Sequence, residues 1–243
     1  MKLFISADIE GCVGTTLASE THKETPEYRQ FAKRMTDEVR IVCQAALEAG
    51  ADEIVVKDGH GDATNIDFTA MPEGVTLIRG KSGHPYNMMF GLDETFDGVL
   101  YVGYHAPAGN GGNPISHTST GNSNQILLNG KVMSEFMLNT YTAAMMGVPA
   151  VFISGDEGIC GLAREMVPGI TTAAVKKGVG ACTINMSVAA ADRLLKEKVK
   201  EALSGDLKAC RIAMPEQFVY VVNYKDLKKA YQMSFFPGAE RVD

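Results

Sequence analysis

Residues 2–11 read KLFISADIEG, an apolar run too short for a helix that closes on two carboxylates, Asp8 and Glu10. A brief continuous run with branched and aromatic side chains is what a strand buried on both faces looks like, as in parallel sheets covered by helices. After a polar loop, Thr25 and Pro26 supply an N-cap and a first-turn proline. Phe31, Met35, Val39, Val42, Ala46 and Leu47 then form an apolar stripe at helical spacing that ends at Gly50. Strand, loop and helix make one unit, and the strand form recurs in DEIVVKDGHGD (52–62), FDGVLYVGYHA (96–106) and VPAVFISGDEG (148–158). The expected fold class is α/β, a three-layer sandwich with a mainly parallel central sheet and a smaller α+β lobe.

Between the last two strands the pattern breaks. In NQILLNGKVM (124–133) the pair Asn129-Gly130 separates apolar runs, which predicts a hairpin, and Ser134 is placed to cap a helix from Glu135 to about Met146 that Gly147 stops. Further on come a charged amphipathic helix over 187–204, a strand QFVYVVNY (217–224) and a helix KDLKKAYQM (225–233). These predict a catalytic domain over 1–183, with the hairpin as an insertion, and an α+β lobe over 184–243.

Composition narrows the function classes. The 243 residues are 45% hydrophobic and 21% charged, so a large core can form without staples. The net charge is −6, and the longest basic stretch, KEKVKEALSGDLK (196–208), alternates sign as a solvated helix face does, which argues against a nucleic-acid partner. One Lys, a short apolar run and two acids at the start fit neither a signal peptide nor a membrane span, so no membrane association and a cytoplasmic location are expected. Cys12, Cys43, Cys160, Cys182 and Cys210 are scattered without a C-x-x-C pair and read as reduced packing residues.

In open α/β sheets ligands bind at the carboxyl ends of the strands, and the polar residues gather there: Asp8 and Glu10, Asp58 and His60, His105, Asp156 and Glu157, with His117 and Glu135 from the intervening segments. Strand alternation points Asp8 and Glu10 the same way, and two adjacent carboxylates stay ionised only beside a cation or donors. A divalent metal supplies that compensation, and histidines favour zinc over magnesium. Two such ions could share one carboxylate, orient a substrate, polarise its carbonyl and activate water. Taken singly, each residue has a structural explanation, such as a turn for His60, a core histidine for His105 or helix-dipole pairing for Glu135. Convergence on one sheet edge outweighs these. EGCVGTT (10–16) lacks the spacing of a phosphate loop, GNGGNP (109–114) reads as a flexible active-site loop, and neither G-x-S-x-G nor H-E-x-x-H occurs. His22 and His84 read as ordinary loop residues.

The ordered set SADIEG, KDGHGD, GYHA, SHTST, GKVMSE, GDEG and TTAAVKKGVG, running from Met1 to about Lys177, resembles the DppA-type zinc-dependent D-aminopeptidase family. Its S-x-D-x-E-G pattern falls on Ser6, Asp8, Glu10 and Gly11. The resemblance implies two zinc ions per subunit held by Asp8, Glu10, His60, His105 and Glu135, a catalytic His117, and a ring-like homo-oligomer acting on short peptides with an N-terminal D-residue. His117 would be a general acid or base, or a nucleophile. Lys176 would either pair with a substrate carboxylate or be a solvated surface residue. Family chains generally continue past PGAE (237–240) with another strand and helix, whereas this sequence ends at Asp243. Two other readings are a magnesium-dependent phosphatase with Asp8 as nucleophile and Glu10 as acid, and a non-catalytic metal- or peptide-binding module.

Overall fold

The opening run forms β1 (Lys2–Ala7), buried from Leu3 onward, at the centre of the computed structural model, which describes residues 1–242. Its neighbours are β2 (Glu53–Asp58) and β4 (Gly98–Tyr104), both parallel to it, with Leu3 opposite Ile54 on one side and Gly98 on the other. Beyond β2 lies β3 (Val75–Ile78). Beyond β4 come β7 (Ala150–Asp156) and β8 (Thr171–Val179), both parallel, and then an antiparallel edge strand, β9 (Cys182–Asn185). The order β3-β2-β1-β4-β7-β8-β9 grows in opposite directions from the β1/β4 pair. A crevice therefore opens at the carboxyl ends of those two strands.

Two helical layers cover the sheet: α1 (Tyr28–Glu48) packs with α4 (Val188–Ser204), and α2 (Glu135–Met145) with α3 (Glu157–Met166). The stripe read on α1 is the buried face: Met35, Val39, Val42 and Ala46 are inaccessible to solvent. Burying each of the larger side chains contributes about 1.5–3 kcal/mol. The start of α1 differs from the expected one. The Thr25 hydroxyl donates to the carbonyls of Ser19 and His22 rather than capping the helix, which begins three residues later at Tyr28.

A second sheet stands apart, with the order β10-β5-β6. The expected hairpin is β5 (Ser123–Leu128) and β6 (Lys131–Val132), turned through Asn129 and Gly130 at φ of 50° and 77°. Those two positive angles are what an Asn-Gly two-residue turn supplies. The strand after residue 217, β10 (Tyr220–Tyr224), adds antiparallel to β5, and α5 (Leu227–Met233) follows with no buried residue. Among the described residues no helix is long and apolar enough to cross a membrane.

Candidate metal centre

Close backbone contact at the β1/β4 switch point fixes the first acids. A Cβ on Gly11 would lie 1.8 Å from the Tyr104 carbonyl oxygen, and one on Gly103, at φ +71°, would lie 2.3 Å from that of Asp8. Only glycine lets these two strand ends touch. Asp8 and Glu10 emerge there 2% and 3% exposed. His60 follows β2 on a loop held by the Asp58 carboxylate, which accepts from the backbone N–H groups of Asn65 (2.6 Å) and Ile66 (2.8 Å) and from the Asn65 amide (2.8 Å). His105 follows β4. Glu135 is the first residue of α2, whose cap is Ser134 accepting from the Met137 N–H at 3.0 Å. A buried chain ties α2 to β1: Asn139 Nδ2 donates to the Tyr104 hydroxyl (2.8 Å), which meets Ser6 Oγ at 2.6 Å, and Ser6 donates to the Met88 carbonyl.

The side chains then converge. His60 Nδ1 lies 3.0 Å from Glu10 Oε1 and 3.4 Å from Asp8 Oδ1. His105 Nε2 lies 3.6 Å from Asp8 Oδ2 and 3.8 Å from Glu135 Oε1. His117 Nε2 lies 3.7 Å from Glu135 Oε1 and 4.0 Å from Glu10 Oε1, with its ring stacked on that of His105 at 4.5 Å. Each imidazole spends its other nitrogen on a backbone carbonyl: His60 Nε2 on Thr21, His105 Nδ1 on Ala106 and His117 Nδ1 on Ile115, at 2.9, 2.9 and 3.0 Å. A carbonyl only accepts, so those nitrogens carry the hydrogen, and in the neutral rings that metal ligation requires the three inward nitrogens present lone pairs. Three imidazole nitrogens and three carboxylates thus face one another, and the donors that reach the carboxylates come from the backbone, Ile9 N–H to Asp8 Oδ1 at 2.9 Å and Ser119 N–H to Glu135 Oε1 at 2.7 Å. Glu10 Oε2 and His105 Nε2 are buried without a hydrogen-bond partner. Such orphaned acceptors are costly unless a cation joins them. The ligand atoms group as Asp8, Glu10 and His60, as Asp8, His105 and Glu135, and as Glu10, His105 and His117, each within 4.8 Å. This donor set suits zinc, and Asp8, Glu10 and His105 each belong to two of the groups.

Protonation reveals the same strain. Burial, with the Glu10 charge beside it, pushes Asp8 up to about 8. Burial also opposes charge on Glu10 and on the histidines, but there the pair partners win. Glu10 is held well below the usual carboxylate range by His60, while Glu10 and Asp8 draw His60 up to about 11. Glu135 is the main partner drawing His105 up to about 9. Without a metal, protons gather where the acceptors crowd.

The whole chain, residues 1–243, matches the model of peptidase family M55, described as D-aminopeptidase. This chain belongs to that family. A D-aminopeptidase of Bacillus subtilis (strain 168) is 31% identical over 241 residues, 99% of this chain and 87% of that protein. The solved structure described as Zn-dependent D-aminopeptidase DppA from Bacillus subtilis, a self-compartmentalizing protease, superposes with a TM-score of 0.94 at 30% identity. The match covers 100% of this chain and 88% of that one. Family membership and the mainly parallel sheet agree with the α/β D-aminopeptidase expected from the sequence, and the phosphatase reading gives way.

Within this D-aminopeptidase several strand-end residues serve the frame rather than the centre. Asp58 organises the His60 loop. Asp156 caps α3 through the Ile159 N–H (2.8 Å), and Glu157 is a surface residue paired with Lys177 at 3.2 Å. Lys176 meets neither expectation: it is 3% exposed, and its ammonium donates to the carbonyls of Glu10 and Thr15, both at 2.5 Å. Around the centre a cavity of about 430 Å³ is lined by His22, which the sequence reading set aside, and by Lys81, Asn87 and Lys225, which it did not consider. His22 follows Thr21, whose carbonyl holds His60, and Lys225 follows β10. Only the assembled fold brings these segments to one cavity.

Proposed function

We propose that this D-aminopeptidase hydrolyses the N-terminal residue from short peptides, those beginning with a D-amino acid above all, at a two-zinc centre held by Asp8, Glu10, His60, His105 and Glu135. The observation that carries the proposal is the convergence of three imidazole nitrogens and three carboxylates on one sheet edge, in groups whose ligand atoms lie within 4.8 Å of one another. Asp8 is the carboxylate common to the two groups made of these five residues alone, Asp8 with Glu10 and His60 and Asp8 with His105 and Glu135, and would serve both ions. Zinc, when bound, supplies Lewis acidity that polarises the peptide carbonyl and lowers the pKa of water.

The chain's own groups do the rest. His117 has its Nδ1–H fixed on the Ile115 carbonyl, which leaves Nε2 at the cavity edge as the atom that takes up a proton and passes it to the leaving amine. The acids lie on the cavity floor, while Lys81 and Lys225 at its mouth have no ion-pair partner among the described residues. A short peptide matches that polarity, with its amino end at the floor and its carboxylate at the lysines.

The small lobe of the proposed two-part division is supported by β10 joining a second sheet, but β9 and α4, which packs on α1 and β8, stay with the main sheet, so in this reading the division falls beyond α4 rather than near residue 183. A ring-like homo-oligomer is supported by the exposed Phe218, Tyr220, Leu227, Tyr231, Phe235 and Phe236, which crowd one small lobe, and by the self-compartmentalizing character of the relative. Free cysteines, four of them buried, fit a reducing cytoplasmic location.

The decisive experiment measures zinc per subunit together with turnover of matched D- and L-alanyl dipeptides by the native protein and His117→Ala. Two zinc ions, a preference for the D-peptide and a fall of about 10²–10⁴-fold in kcat for the variant are expected. Binding without turnover by the native protein would leave the metal- or peptide-binding module in its place.

A further inference from the structure

The glycine-rich segment 109–114, expected to be a flexible loop, is pinned by one side chain. Asn113 is 3% exposed, and both N–H donors and the oxygen of its amide are engaged. Nδ2 donates to the Glu10 carbonyl and to Asp156 Oδ2, each at 3.1 Å, and Oδ1 accepts from the Ile115 N–H at 3.1 Å. The amide cannot be reversed, because its oxygen would then face two acceptors and its NH₂ a donor. Around it the loop lies close against the frame. Gly112 accepts from the Gly178 N–H at 3.1 Å, and a Cβ on Gly112 would stand 3.0 Å from Gly158 Cα.

We infer that Asn113 is a positioning residue for His117, the amide that sets where its imidazole stands relative to the metal-binding strands; the inference rests on the role proposed for His117 above. One arm runs through Ile115, whose N–H is held by Asn113 and whose carbonyl holds His117 Nδ1 at 3.0 Å. A second reaches the Glu10 carbonyl, three residues beyond β1. A third goes through Asp156 Oδ2, which also accepts from the Ala106 N–H at 2.8 Å, and the Ala106 carbonyl orients His105. Glu10 and His105 keep other ties when the amide is removed, since Lys176 still holds the Glu10 carbonyl and Asp156 still holds Ala106. His117 loses the bond that fixes the backbone on which its own ring is held. A misplacement on the order of 1 Å is enough to lower turnover about 10²-fold.

The test pairs kinetics with chemical modification of the purified enzyme. Asn113→Ala, with the similarly sized Asn113→Leu as a second variant, is expected to lower kcat about 10²-fold while KM and zinc content hold. In a double-mutant cycle, adding either change to His117→Ala should cost little more, because residues acting as a unit are not additive. Carbethoxylation of His117 by diethyl pyrocarbonate, followed by peptide mass spectrometry with the exposed His22 as internal reference, should change in rate several-fold in both variants. Fully multiplicative losses in the cycle, or an unaltered His117 modification rate, would overturn the inference. If His117→Ala itself keeps full turnover, the catalytic role proposed for that residue fails instead, and the modification rate still decides whether Asn113 places it.

Discussion

His105 is the residue on which the metal centre can be tested most directly, because its Nε2 is buried, faces Asp8 and Glu135, and has no hydrogen-bond partner. His105→Ala is expected to lose at least one zinc ion per subunit in elemental analysis; unchanged content would remove it from the ligand set. The crowded acceptors also predict a pH signature in chelator-treated protein. Asp8, raised from 3.8 to about 8, keeps a proton in the folded state that the unfolded chain has released. Its contribution is complete below about pH 4 and is lost as pH rises through 8. His60 and His105, raised from 6.5 to about 11 and about 9, have the same sign, with contributions complete below about 6.5. Glu10 has the opposite sign, its contribution being complete above its ordinary value of 4.5 and lost only as pH falls below it. The metal-free protein should therefore lose thermal stability between pH 6.5 and 9, and added zinc should flatten that slope by replacing the protons. A Tm that rises over this interval without metal would contradict the geometry. At this scale the residue types of the centre were legible, since few other pairings explain Asp8 and Glu10 at a strand end. The place of Lys176 was not, because a lysine in sequence carries no sign of whether backbone carbonyls will enclose it.

Elements decide how the groups are delivered. The strands that were legible, β1, β2, β4 and β7, are continuous apolar runs, and the Asn-Gly hairpin and the Ser134 cap carry local turn and cap chemistry. β8 was missed because TTAAVKKGV mixes Thr, Lys and Gly, and one of its lysines is buried for a reason local pattern cannot express. β3 was missed because four residues are too few to show a period. The delivery of Lys225 to the cavity belongs here as well. It follows β10, and its N–H donates to the Asn122 carbonyl at 3.0 Å beside the start of β5. Lys225→Met should raise KM for a D-alanyl dipeptide with a free carboxylate while leaving that for the C-terminal amide nearly unchanged. An equal effect on both would show that the lysine does not meet the carboxylate. Loss of an exposed charge pair costs about 1 kcal/mol, which corresponds to a rise in KM of roughly fivefold.

For the whole molecule the open question is what covers the small lobe. Leu227 is 88% exposed, and Phe235 and Phe236 are 70% and 66% exposed, an apolar display that isolated soluble chains seldom keep. A Leu227→Asp, Phe235→Asp double variant is expected to shift the protein to smaller species in sedimentation velocity, with zinc content preserved because neither residue lines the cavity. An unchanged sedimentation coefficient would place the contact between copies elsewhere.

Sequence alone determined the layered parallel fold and the chemical character of its edge, because apolar run length, helical periodicity, and acids and histidines at strand ends are local signals read within about ten residues. Only the tertiary structure decided which polar residues enter the centre and which build its frame. Asn113 meets Glu10 across 103 residues, Lys176 meets Glu10 across 166, and β10 pairs with β5 from the far end of the chain. Those contacts are chosen by the packing of the whole sheet and by the requirement that every buried donor and acceptor find a partner, which no single segment specifies.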